Sequence, residues 1–90
     1  MANAFIREDE DPDYDIIISS NSVVIYLDLR GKEIVYDKVN IKTDGNKIYV
    51  TDSSANRLIK IIPLPAKVDP LTLTYKYKNG IFILQGNKIN

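Results

Sequence analysis

The sequence predicts an all-β domain. Three observations carry this: apolar and polar residues alternate over short stretches, β-branched and aromatic residues crowd those stretches, and turn pairs such as Asp44-Gly45 and Asn79-Gly80 separate them. No segment longer than about ten residues spaces its apolar side chains as a helix would, so one helical turn near "KEIVYD" is the most helix expected. Roughly seven short strands with turn signals between them suit either a sandwich of two sheets or a small closed barrel.

Taken in order, residues 1–13 read as an acidic, flexible N-terminal arm, because Pro12 and the carboxylates around it leave little to pack. "YDIIISS" and "SVVIYLDLRG" read as two antiparallel strands joined by a tight turn at Ser20-Asn21. In the second strand Val23, Ile25, Leu27 and Leu29 share one face, and Val24, Tyr26 and Asp28 share the other. "KVNIKTDGNKIYV" reads as a hairpin; with Asp44-Gly45 as a two-residue turn, Val39 faces Val50 and Ile41 faces Ile48. "RLIKIIPLP" is the next strand, ended by Pro63 and Pro65, which cannot donate to a ladder. "LTLTYKYKNGIFIL" closes the domain as a hairpin about Asn79-Gly80, pairing Tyr77 with Phe82, Tyr75 with Leu84 and Lys76 with Ile83. The domain then spans 14–86, with 87–90 as a short C-terminal tail.

Composition narrows the function classes. A chain of 90 residues supports one core, and with 44% hydrophobic against 27% charged residues it reads as a globular protein. Cysteine and histidine are absent, which removes disulfides, the usual zinc sites, thiol nucleophiles and the side chain that titrates near neutrality. No enzyme activity, cofactor or metal is expected. Asp28, Asp37, Asp44 and Asp52 sit where solvated turn and strand-end carboxylates sit, and Ser19, Ser20, Ser53 and Ser54 have no histidine to activate them. No apolar run approaches the roughly 20 residues of a membrane helix, and the N-terminus lacks the pattern of a secretory signal, so a cytoplasmic address is expected. The net charge is zero but uneven: Glu8, Asp9, Glu10, Asp11, Asp13 and Asp15 open the chain, whereas lysines and Arg57 dominate after residue 56.

Leu58 to Gly86 resembles the α-crystallin (Hsp20) domain of small heat shock proteins. The resemblance lies in "IPLPAKVDPLTLTYKYKNGIFIL", where Ile-Pro, Val-Asp-Pro, a strand, Asn-Gly and an apolar strand follow in the family's order; "VVIYLDLRG" and "VNIKTDGNKIYV" fit its earlier strands. It implies an immunoglobulin-like sandwich of about seven to eight antiparallel strands. It also implies an ATP-independent chaperone or co-chaperone that binds exposed apolar segments of unfolded clients or other chaperone subunits. The family's groove for an Ile-x-Ile peptide would be lined by Val39, Ile41, Leu73 and Tyr75, between the strand at 39–41 and a strand at 71–77, with bulky Tyr75 able to plug it. The family's arginine before the Leu-Pro element falls on Lys60, which keeps the charge but not the bidentate fork for an ion pair across a dimer interface.

Three departures are plain. Only "TDSSAN" separates the hairpin from the next strand, so strand exchange through a long loop is not expected; "NKIN" holds no Ile-x-Ile motif; and the N-terminal arm is short and acidic. This loop-less pattern is similar to p23-type co-chaperones and implies a monomer or homodimer rather than a large oligomer. A rival class is a small barrel that binds nucleic acid, suggested by the interleaved Tyr75, Lys76, Tyr77 and Lys78. Alternation sets the tyrosines and lysines on opposite faces, and the neutral net charge adds no electrostatic pull, so no nucleic-acid partner is expected.

Overall fold

The computed structural model describes residues 12–32 and 34–89. Residues 1–11, most of the expected acidic arm, lie outside the described residues. The seven strands are β1 (Tyr14–Ile18), β2 (Ser22–Asp28), β3 (Val39–Thr43), β4 (Lys47–Asp52), β5 (Arg57–Pro63), β6 (Thr74–Lys78) and β7 (Ile81–Asn87). They form two antiparallel sheets, one ordered β1-β2-β7-β6 and the other β3-β4-β5, so the molecule is a sandwich and not a closed barrel.

The expected alternation decides which faces meet. Val23, Ile25, Leu27 and Leu29 from β2 and its extension, Phe82 and Leu84 from β7, and Val39, Ile48, Val50 and Ile62 from the other sheet are all buried together. Burying such side chains stabilises by roughly 1.5–3 kcal/mol each, which is what holds two sheets face to face.

The β6–β7 hairpin has the expected register, with Tyr77 opposite Phe82 and Tyr75 opposite Leu84. Asn79 and Gly80 both have positive φ, 52° and 84°, as a type I′ turn requires. The β3–β4 hairpin departs from expectation: Ile41 pairs with Val50 and Val39 with Asp52. Its loop is longer than two residues because side chains close it. The Asp44 carboxylate accepts from the N–H groups of Asn46 and Lys47 at 2.8 and 2.9 Å, and the Thr43 hydroxyl donates to the Lys47 carbonyl at 2.6 Å. Each partner moves by two residues, so no side chain changes face.

Two further expectations shift. The helical turn falls at Tyr36–Lys38, at the end of "KEIVYD" and running into β3. The strand expected from Leu71 starts only at Thr74, because Pro70–Thr72 forms a 3-10 turn whose first N–H groups are capped by Asp69, its carboxylate accepting from Leu71 N–H at 3.0 Å.

The connection from β5 to β6 is tied to the body by Val68. Its N–H donates to the Gly45 carbonyl at 2.9 Å, and its side chain lies over Gly86, where an added Cβ would come within 2.4 Å of Val68 Cγ1. Gly86 therefore makes room for the Val-Asp-Pro segment. At the chain's ends, Pro12 is buried and the Asp13 carbonyl accepts from Asp28 N–H at 2.9 Å; Lys88 and Ile89 donate their N–H groups to Asn21 and Lys67.

Candidate functional site

The sandwich has two long seams where edge strands of opposite sheets face each other. Along one, β5 meets β1: Lys60 lies opposite inward-facing Val50, and its Nζ sits 5.3 Å from the centroid of the Tyr14 ring. The register shifts by one between Val50 and Thr51, leaving Ile59 without a partner on β4. Lys60, expected as a dimer-interface charge, makes this cation–π contact within its own chain.

Along the other seam, β3 meets β6. Tyr36, just ahead of β3, stacks on Tyr77 of β6 with ring centroids 4.5 Å apart and planes 24° apart. Phe82 lies beneath, 5.2 Å from Tyr77 and 6.2 Å from Tyr75. The Tyr36 hydroxyl donates to the Leu29 carbonyl at 3.3 Å, which fixes the ring.

The four residues expected to line a groove divide by burial. Val39 is buried in the core; Ile41 and Leu73 are half-buried and pack against it; Tyr75 is exposed at 48%. Val39 and Ile41 share the inner side of β3, Tyr75 is on the inner side of β6, and Leu73 precedes β6 after the 3-10 turn. Both strands are sheet edges, β3 bonded to β4 alone and β6 to β7 alone among the described residues. Each thus keeps an outward row of backbone donors and acceptors with no strand beside it.

Tyr36 falls in the helical turn expected near "KEIVYD", but a single turn assigns no buried face, so its place in the seam had no sequence signal. Leu71, 94% exposed beside the seam, was read as part of a strand and is instead projected by the Asp69-capped turn.

Two carboxylates at strand ends have partners of their own. Arg30 grips Asp28 through two hydrogen bonds of 2.8 and 3.0 Å, and this contact brings the Asp28 carboxyl down to about 2. Asp52 is buried; the Ser54 hydroxyl donates to it at 2.6 Å and lowers its carboxyl, with backbone N–H groups and nearby Arg57 adding to the effect. These bonds shape the short turn between β4 and β5. No group of three or more acidic, histidine or cysteine side chains that could hold a metal ion occurs among the described residues.

At the level of sequence, no family model and no curated protein matches the chain. Solved structures do match. Heat shock protein 16.0 from Schizosaccharomyces pombe superposes with a TM-score of 0.70 at 18% identity, over 88% of this chain and 67% of that one. A small heat-shock protein from Xylella fastidiosa gives a TM-score of 0.64 at 22% identity, over 88% and 86%. A nuclear movement protein from E. cuniculi gives 0.60 at 17% identity, over 83% and 84%. At such identities the likeness is one of fold: the chain has the α-crystallin-like β-sandwich fold of these small heat shock proteins.

Proposed function

We propose that this domain is an ATP-independent chaperone or co-chaperone that takes up extended apolar segments of other polypeptides along the β3–β6 seam. One observation carries the reading: two edge strands flank the same seam, and the side chains between them, Ile41, Leu73 and Tyr75, are apolar and incompletely covered. An extended segment laid there would gain backbone hydrogen bonds from an edge and bury alternate side chains against these residues.

The affinity expected of one seam is low. Burying two isoleucine side chains gives roughly 3–6 kcal/mol before association costs, so the dissociation constant is no better than about tens of micromolar to millimolar. A single domain then acts best as an adaptor or beside other chaperone subunits, where several weak contacts add through effective concentration.

Titrating a labelled Ile-x-Ile peptide against the protein and its Ile41→Asp variant tests the proposal. Saturable binding in the stated range, lost in the variant while its circular dichroism is unchanged, supports it. Equal binding by both, or none by either at millimolar protein, refutes it.

A further inference from the structure

The outer face of the four-stranded sheet is more apolar than a solvated antiparallel face usually is. Since Val23, Ile25 and Leu27 point inward from β2, Val24, Tyr26 and Asp28 point outward. Tyr26 pairs with Asp15 on one side and with Ile83 on the other, and Ile83 pairs with Lys76. One row therefore crosses all four strands as Asp15, Tyr26, Ile83, Lys76. In the next row Asp28, Ile81 and Lys78 stand in line, with Asp28 on β2 and held by Arg30; the third row, Ile17, Val24, Gln85 and Thr74, carries no charge. In the first row the acid is on β1 and the cation on β6, and an apolar band runs between them. Tyr26 stays 40% exposed in that band. No ion pair joins Asp15 or Lys76 to another described residue.

We propose that this face is a self-association surface, on which a second copy of the chain packs sheet to sheet about a two-fold axis parallel to the strands. That rotation lays β1 of one copy over β6 of the other. Asp15 then meets Lys76 of the second copy at both margins, and Tyr26 meets Ile83 of the second copy at both central positions. The antisymmetry of charge selects this occupant: an acidic margin opposite a basic one is self-complementary under a two-fold, as an isologous interface requires. Four strands about 4.8 Å apart, each five to seven residues long, offer roughly 400 Å² per copy, about half of a standard interface. The dimer is accordingly weak and concentration-dependent.

Sedimentation velocity from about 1 µM to 1 mM brackets the dissociation of an interface this small. The wild-type chain is expected to pass from monomer to dimer within that span. Asp15→Lys and Lys76→Asp, each placing like charges at both margins, are expected to weaken self-association about tenfold. An equimolar mixture of the two variants restores opposite charges at both margins and should recover nearly wild-type affinity as a heterodimer. Neither a folding defect nor a foreign partner produces that recovery. A wild-type monomer at every concentration, as would follow if the N-terminal residues or a different protein occupied this face, overturns the proposal; so does a mixture no tighter than either variant alone.

Discussion

The two seams of the sandwich join the same pair of sheets by different chemistry. Between β5 and β1, Lys60 lies over the Tyr14 ring, a contact worth about 0.5–1 kcal/mol at a partly exposed site, and Ile16 and Ile59 also pack against the core. Between β3 and β6 it is a stack of rings, Tyr36 on Tyr77 over Phe82, that closes one end, while Tyr75 and Ile41 stay incompletely covered farther along. A flexible cation covers a seam without shaping it. Beyond the rings, β3 and β6 are sheet edges whose outward backbone groups have no strand beside them among the described residues. The second seam is the one that the proposed binding would use.

The largest test of this contrast is Phe82→Ala. The ring is fully buried under the aromatic seam, and its removal should cost about 3–5 kcal/mol and loosen Tyr36, Tyr75 and Tyr77 together. Urea unfolding measures the loss; a cost under about 1 kcal/mol would mean that the rings do not depend on one another.

A paired comparison is next. Tyr36→Ala should cost about 1–2 kcal/mol and, by opening the closed end, raise affinity for the labelled peptide, whereas Lys60→Met should cost under about 1 kcal/mol and leave peptide binding unchanged. Matching peptide affinities in the two variants would erase the distinction between the seams.

The smallest effect is one of pH and serves as a control. The Asp28 carboxyl, held at about 2 by Arg30, and Asp52, lowered by Ser54, have folded-state values below their unfolded ones. Their contribution to stability is present above the unfolded value of about 4 and is lost as pH falls through the folded values, about 2 for Asp28. Both lie outside the seams, so the midpoint of urea unfolding should fall over that range equally in wild type and Tyr36→Ala. A steeper fall in one of them would tie these acids to the rings.

Much of the fold could be read directly from the chain. Alternation in "SVVIYLDLRG" gave the inward face of β2 without error, and Asn79-Gly80 gave the last hairpin its register, because a two-residue turn with positive φ at both positions leaves no other pairing. Asp44-Gly45 misled because Asp44 caps two N–H groups beyond Gly45, which stabilises a longer loop that a dipeptide signal does not encode. The aliphatic faces still came out right, since moving the partners by two preserves the side-chain parity. At the site, Val39, Ile41 and Tyr75 were placed on the strands they occupy. Tyr36 and the Val68–Gly86 contact were not legible: both join segments distant in sequence, and no local pattern reports them.

The turn between β4 and β5 has a kinetic consequence. Because Ser53 to Asn56 returns the chain directly onto its own neighbour, the β4–β5 ladder closes without borrowing a strand from elsewhere. Were such a domain to join a partner, it could part from it again without breaking that ladder.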